Sequence, residues 1–211
     1  MEKPNKDLFE KIVKIAQNRG FVFNASSIYG GLRSSYDYGP LGALLKENIS
    51  QLWWKALKTS EVKIYPVDTA IIQSTDVWKA SGHLSEFSDP MVECKNCNSR
   101  FRSDSNFENV CCDQQELTDP KNFNLMFETN IGPVVNENSQ VFLRPETAQG
   151  IFVNFENVLR TMRAKLPFGI ANIGKSFRNE ITPGQFIFRT REFEQMEIEF
   201  FCKEEDSEEW M

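Results

Sequence analysis

Histidine is nearly absent from this sequence, since His83 is the only one among 211 residues. A single imidazole gives no basis for a Ser–His–Asp or Cys–His nucleophile, and it is more simply read as a structural hydrogen-bonding group. No run of ~20 apolar residues occurs, which excludes a membrane-spanning helix. The P-loop and G-x-G-x-x-G signatures are also missing. Any bound nucleotide would therefore be held by arginines rather than by a glycine cradle.

Positive charge is in short supply as well, because the net charge is −6. This argues against a protein that coats DNA, which needs clustered Lys and Arg. The N-terminus is polar and shows no signal peptide, so we expect a cytoplasmic protein. Residues 154–191 carry seven Lys or Arg against two acids, whereas residues 192–211 carry nine acids against one Lys. Such a boundary indicates either a site for an anion and a cation together or two solvated surfaces.

Cysteine is scarce, with five in the chain, and a disulfide framework is not expected without a secretion signal. Cys94 and Cys97 have the C-x-x-C spacing of one half of a zinc ribbon. Cys111 and Cys112 are adjacent, and neighbouring residues do not easily face one tetrahedral centre. Three readings follow: a zinc site of these four cysteines, a site of three thiolates with Asp113 or water, and a lobe that binds no metal.

The hydrophobic periodicity predicts an α+β fold in which helices flank an antiparallel β-sheet. A polar, cysteine-bearing insertion over residues 91–119 is expected to form a small lobe of a single domain. Apolar residues on one side of the second helix, at Leu41, Leu44, Leu45, Ile49, Leu52 and Trp53, are predicted to be buried. We expect helices over 7–18, 40–58 and 147–165, strands over 62–72, 123–128 and 141–144, and a hairpin of strands over 169–180 and 190–201.

Two groups of residues suggest chemistry, and the first lies along this hairpin. Arg178 closes the first strand, and Arg189 and Arg191 stand where the return strand begins, with Phe193 among them. Guanidinium groups match phosphate oxygens, and an aromatic ring offers a stacking platform for a base. The alternative is a structural Arg–Glu ladder across the strands.

Carboxylates form the second group. Glu146 lies in the charged run 144–150 at a strand-to-helix junction, where it either caps the helix or contacts a ligand. Glu194 and Glu197 are expected on the polar face of the return strand, where they could fix an ammonium group. Met196, Ile198 and Phe200 are expected on its other face.

These segments together resemble motif 2 of the class II aminoacyl-tRNA synthetases, in a version close to that of the dimeric glycyl-tRNA synthetases. The resemblance rests on Phe177–Glu180 and on the run from Arg189 to Glu197. Supporting segments cover nearly the whole chain in order: Ile28–Leu32, Tyr36–Gly42, Trp53–Lys55, Ala80–His83 and Arg144–Gly150.

The resemblance implies the use of ATP and Mg²⁺ to form glycyl-adenylate from glycine, followed by transfer of the glycyl group to tRNA(Gly). Arg178 would be the catalytic residue that grips the α-phosphate. The implied ATP contacts are Arg178, Asn179, Glu180, Phe188, Arg189, Thr190, Arg191, Glu192 and Phe193. The implied glycine contacts are Arg102, Glu146, Phe193, Glu194, Gln195, Met196 and Glu197.

The resemblance also implies what is missing. Motif 3 and the anticodon-binding domain have no counterpart here, so residues 1–211 would be the N-terminal part of a catalytic domain, inactive when isolated. The cysteine lobe is shorter than in four-cysteine relatives. A homodimer is implied for the full protein. The alternative is a synthetase-like module that binds nucleotide or tRNA without catalysis.

Overall fold

A computed structural model describes residues 6–104, 111–112, 115–135, 139–181 and 183–210. The chain divides into two compact units. The first comprises the described residues up to Ile64 together with Gly184–Thr190, and the second comprises the described residues of 65–183 and 191–210. No helix among the described residues is long and apolar enough to cross a membrane.

The first unit is built from two helices and a short hairpin. Helix α1 (Lys6–Asn18) leads into strand β1 (Val22–Asn24), which pairs antiparallel with β2 (Tyr36–Tyr38). Helix α2 (Pro40–Lys58) begins at a proline, whose fixed φ suits the first turn. Both predicted helices are confirmed. A 3₁₀ turn at Phe186–Phe188 completes the unit, and its Phe186 ring meets Tyr36 edge-to-face at 5.2 Å.

The apolar side of α2 is not buried as the sequence predicted. Leu44 is 63% exposed and Leu52 is 68% exposed, and Leu41, Leu45 and Ile49 are each close to half exposed. The helical periodicity identified the apolar face correctly. The periodicity does not show whether other residues cover that face, and the described residues of this unit leave it exposed to solvent.

The second unit contains three sheets of three strands. Their orders are β11-β10-β3, β4-β9-β8 and β6-β5-β7, and the registered pairs are antiparallel, which confirms the predicted α+β class. The strands are β3 (Ile64–Val67), β4 (Ile72–Gln73), β5 (Ser88–Glu93), β6 (Arg100–Arg102), β7 (Lys121–Asn124), β8 (Glu128–Asn130), β9 (Gln140–Leu143), β10 (Phe168–Phe177) and β11 (Glu192–Phe201). The helices are α3 (Thr75–Ala80), α4 (His83–Glu86), α5 (Ala148–Thr161) and α6 (Ser207–Trp210).

Helix α5 packs on one end of the β10–β11 hairpin and forms the main core there. Ile151 and Val158 of the helix are buried against Phe168 and Ile170 of β10. The helix is shorter than the predicted 147–165 because Arg163 has a φ of 50°, in the left-handed region that ends a helix. At the other end of the hairpin, the same face is not part of this core and carries polar residues.

The predicted strand over 62–72 is interrupted. Strand β3 ends at Val67 and β4 begins at Ile72. Within the intervening segment, the carbonyl and hydroxyl oxygens of Thr69 accept hydrogen bonds from Arg144, so they are not used in a strand ladder.

Candidate functional site

Arg178 follows β10 and is fixed from several sides. Its Nε donates to the carbonyl oxygen of Pro145 at 3.0 Å. The guanidinium carbon lies 5.5 Å from the ring centroids of both Phe87 and Phe193, so the cation sits against two aromatic faces. Its Nη2 is 3.7 Å from Oε2 of Glu146. The side chain is a pre-oriented cation that can receive an anionic group.

Glu146 lies in the loop between β9 and α5 and is held by three side chains. Gln149 donates to its Oε1 at 2.8 Å, and His83 Nε2 lies 3.4 Å from the same oxygen. Arg178 approaches the second oxygen. These neighbouring side chains therefore fix the position of the Glu146 carboxylate, which is the predicted ligand contact.

His83 belongs to this site, although the sequence favoured a structural role alone. Its ring lies 5.5 Å from Trp78 and 5.2 Å from Phe87, and its Nδ1 is 2.9 Å from the Ser81 hydroxyl. Nε2 then points at Glu146. The signal available in the sequence was the glycine before it: Gly82 has a φ of 79°, which turns the chain at the start of α4.

Glu197 supplies a second carboxylate from β11. The hydroxyl of Thr147, a fully buried residue, donates to its Oε2. Gln195 lies on the same face, and its Oε1 accepts from Ser176 at 2.8 Å. Burial, reinforced by the charges of Glu197 and Glu146, raises the pKa of Glu199 on this face. Such a concentration of carboxylates suits a cationic ligand group.

The alternation of β11 is confirmed, but its consequences differ from the prediction for two residues. Glu194 was expected on the polar face with Glu197, and that expectation is wrong. Glu194 and Met196 occupy even positions, so they share the opposite and more exposed face with Ile198. The predicted glycine contacts on β11 therefore divide into Phe193, Gln195 and Glu197 on the site face, and Glu194 and Met196 away from it.

The predicted ATP contacts fall in both units. In the second unit, Arg178 N donates to the carbonyl of Arg191 at 2.9 Å, and Asn179 N donates to Leu125. Arg191 Nη2 is 3.3 Å from the carbonyl oxygen of Glu180. Glu192 pairs with Lys175. In the first unit, three residues of the predicted set lie in the segment Gly184–Thr190, namely Phe188, which is 76% exposed, Arg189, whose carbonyl oxygen accepts a hydrogen bond from Gly184 N, and Thr190.

Arg102 lies on β6 and already contacts two carboxylates. Its Nη1 is 3.0 Å from Asp89, and its Nε and Nη2 donate to Asp104 at 3.0 and 2.8 Å. Hydrogen bonds to Asp104 and the charges of Asp89 and Glu180 raise the pKa of Arg102. Its assignment as a glycine contact stays a prediction.

The four cysteines of the lobe come together. Their sulfur atoms all lie within 4.8 Å of one another, with Cys94–Cys112 at 3.7 Å and Cys111–Cys112 at 3.8 Å. A tetrahedral zinc ion with Zn–S bonds of about 2.3 Å places its sulfurs about 3.8 Å apart. The objection that neighbouring cysteines do not face one centre is therefore wrong here. Asp113, the alternative ligand, lies outside the described residues.

The thiols of this cluster differ in acidity. Burial raises the pKa of Cys94, but hydrogen bonds from the backbone of Cys97, Asn96 and Glu116 outweigh it and lower that pKa to about 6. Burial and the neighbouring thiols raise the pKa of Cys111 to about 12. Backbone N–H groups directed at a thiolate also stabilise a metal-bound sulfur.

Comparisons with known proteins show which families and relatives this chain resembles. Residues 126–211 match the family model of the tRNA synthetase class II core domain (G, H, P, S and T). The glycine–tRNA ligase of Caldanaerobacter subterraneus subsp. tengcongensis is 50% identical over an alignment of 237 positions, which covers 98% of this chain and 51% of that protein. The glycine–tRNA ligase of Bifidobacterium longum is 51% identical over an alignment of 221 positions, which covers 95% of this chain and 45% of that protein.

Solved structures share the fold at low sequence identity. A crystal structure of the RNA binding domain of threonyl-tRNA synthetase from Cryptosporidium parvum Iowa II has a TM-score of 0.63 at 22% identity, covering 93% of this chain and 38% of that one. Prolyl-tRNA synthetase from Cryptosporidium parvum, complexed with halofuginone and AMPPNP, has a TM-score of 0.62 at 12% identity, covering 98% and 32%.

The chain spans about half the length of the curated relatives it matches. The matched region extends over nearly all of this chain, and the range matched by the family model, residues 126–211, spans the positions of Glu146, Arg178 and Glu197. Residues 126–211 therefore carry the class II tRNA synthetase core domain, and the curated relatives that this chain matches over nearly its whole length are glycine–tRNA ligases.

Proposed function

We propose that the protein acts as a glycine–tRNA ligase, which activates glycine with ATP and transfers the glycyl group to tRNA(Gly). The observation that carries the proposal is the placement of Arg178, Glu146 and Glu197 in one unit, in a chain about 50% identical to glycine–tRNA ligases. The cation suits a phosphate, and the carboxylates suit an ammonium group.

The chemistry needs alignment more than acid–base catalysis. A carboxylate oxygen of glycine attacks the α-phosphorus of ATP, the bond to the bridging oxygen breaks, and pyrophosphate leaves with the electron pair. Because the attacking carboxylate is already ionised, no general base is required. Arg178 would stabilise the charge that develops on the α-phosphate, and Glu146 and Glu197 would fix the ammonium group.

Other residues would complete the ATP and glycine sites. Class II synthetases use ATP with Mg²⁺, which compensates the phosphate charge. In our proposal Arg189 contacts the distal phosphates, Phe193 stacks on adenine, and Arg102 contacts the glycine carboxylate. Selection for glycine would come from excluding any substrate with a Cβ, since glycine itself has no side chain to bind.

The cysteine lobe would hold zinc. The sulfur separations of 3.7 and 3.8 Å support this part of the proposal, and Cys94, Cys97, Cys111 and Cys112 would be the ligands. Four thiolates with no open position describe a structural ion, which stabilises the lobe and takes no part in the reaction.

The assembly and location are also proposals. A homodimer is supported by the apolar residues that α2 leaves exposed, which include Leu44 and Leu52. The proposed location is the cytoplasm, where a glycine–tRNA ligase would supply glycyl-tRNA for translation.

Glycine-dependent ATP–pyrophosphate exchange tests the proposal, with alanine and serine as competing substrates. We expect exchange with glycine alone, either by this chain or by a longer chain that contains it. Arg178→Ala should abolish it, whereas Arg160→Ala, which removes an exposed arginine of α5, should not. No exchange under either condition would favour a non-catalytic module. Equal exchange with alanine would contradict the assignment of glycine.

A further inference from the structure

Arg144 is a fully buried arginine whose side chain joins separate parts of the second unit. It is 1% exposed. Its Nε donates to the carbonyl oxygen of Lys175 on β10 at 2.7 Å. Its Nη1 donates to both the carbonyl oxygen and the hydroxyl oxygen of Thr69, each at 2.8 Å. The guanidinium therefore connects β10 to the segment between β3 and β4.

The backbone of Arg144 makes the same connection. Its N–H donates to the carbonyl of Ile71 at 3.0 Å, and its carbonyl accepts from Phe177 at 2.9 Å. Glu146 follows two residues later, and Arg178 donates to the intervening Pro145. The loop between β9 and α5, which carries Glu146, is thus held in place by both the main chain and the side chain of Arg144.

Thr69 extends this connection to the second carboxylate. Its hydroxyl oxygen also accepts from Asn172 Nδ2 at 2.7 Å. Asn172 is fully buried on β10, directly across the strands from Glu197, and its Oδ1 has no hydrogen-bond partner among the described residues. Thr69, Arg144 and Asn172 therefore form one hydrogen-bonded group, which is connected to Glu146 along the chain and to Glu197 across the strands.

Arg144 is a buried cation whose hydrogen bonds go to main-chain carbonyl oxygens and a hydroxyl oxygen. Burying a cation that has no hydrogen-bonded carboxylate costs free energy of folding, so its charge calls for an explanation. Burial lowers the pKa of Arg144, and the charges of Asp68 and Glu197 act in the opposite direction. Neutral donors would suffice for a purely structural role, whereas the cation is also attracted by the charge of Glu197.

We propose that Arg144, acting through Thr69 and Asn172, is a positioning residue for glycine, which holds Glu146 and Glu197 at the spacing that binds its ammonium group. The proposal rests on the proposed function, because it assigns a role toward the substrate of that site. It concerns glycine binding and leaves ATP binding to Arg178 and Phe193.

The test uses Thr69→Val, which keeps the shape of the residue and removes the hydroxyl shared by Arg144 and Asn172. NMR-detected titrations of the 211-residue chain with glycine and, separately, with ATP give the two dissociation constants. Loss of these hydrogen bonds should weaken glycine binding about tenfold. The dissociation constant for ATP should stay within about twofold, and Thr69→Ser should restore glycine binding because the hydroxyl is retained.

Thr75→Val is the matched control, since it removes a hydroxyl that donates to Gln140 away from this network. Equal weakening of glycine and ATP binding, or no rescue by serine, would reduce Thr69 to a structural residue and overturn the proposal. If Thr69→Val does not fold, Arg144→Lys, which keeps the charge but cannot reach all three acceptors, must show the same selective loss. A wild-type chain that binds ATP but not glycine would overturn the proposed function and this inference together, whereas normal glycine binding by the variants would overturn the inference alone.

Discussion

Gly174 shows how closely single residues pack around the buried guanidinium. A Cβ at this position would lie 2.1 Å from Nη2 of Arg144 and 3.2 Å from its Cζ. The guanidinium cannot move away cheaply, because its hydrogen bonds to Lys175 and Thr69 fix it. Any side chain at Gly174 must therefore displace either β10 or the arginine.

We expect Gly174→Ala to destabilise the chain by about 1–3 kcal/mol, which is the usual cost of overpacking a core. Urea unfolding followed by circular dichroism measures it. Gly184→Ala is the control, because nothing lies within 4 Å of a Cβ built there. The control should change the free energy of unfolding by no more than ~0.5 kcal/mol. Equal stability of the two variants would show that Arg144 has room to move.

The candidate site residues that the sequence predicted, Arg178, Glu146 and Glu197, each lie in a short charged run that resembles a known motif. Such a run can be found from neighbouring residues alone. The residues that position them were not identified, because their contacts join distant parts of the chain: Arg144 and Thr69 are 75 residues apart, and Asn172 and Thr69 are 103 apart. No periodicity or spacing in the sequence encodes such a pair.

Among the elements, strand β11 shows what the alternation of polar and apolar residues predicts correctly and what it does not. A period of two correctly separates Gln195, Glu197 and Glu199 from Met196, Ile198 and Phe200. Hydrophobicity would bury the second set, yet these three residues are 37–41% exposed and the acidic set is the less exposed one. The acidic face faces inward because Thr147 and the loop that carries Glu146 cover it.

The cysteine lobe gives a prediction at this scale. The chain should carry one zinc ion, and removal by EDTA should lower its Tm by about 2–4 °C for each kcal/mol of binding energy lost. Cys112→Ser should lose the ion, because it removes a sulfur 3.7 Å from Cys94. Cys202→Ser should retain it, because Cys202 is outside the cluster. Metal analysis after gel filtration and thermal denaturation provide the measurements. Zinc retained in Cys112→Ser, or none in the wild type, would contradict the assignment.

For the whole molecule, the exposed apolar side of α2 is the feature that most calls for a partner. We expect Leu52→Lys to shift the protein from dimer to monomer in sedimentation velocity, because it places a charge in an apolar contact surface. The helix content should not change, since Leu52 is 68% exposed. Gln51→Lys, one residue earlier, should leave the dimer intact. A wild-type monomer, or a dimer unaffected by Leu52→Lys, would contradict a contact through this face.

The role of Glu197 is tested most directly by the affinity of this chain for glycine, with and without the β11 carboxylate. In our proposal Glu197 binds the substrate ammonium group together with Glu146. We expect Glu197→Gln to weaken glycine binding at least about tenfold, because a charge-assisted hydrogen bond is lost, and to leave the dissociation constant for ATP nearly unchanged. Unchanged glycine affinity in this variant would show that Glu197 does not bind the ammonium group.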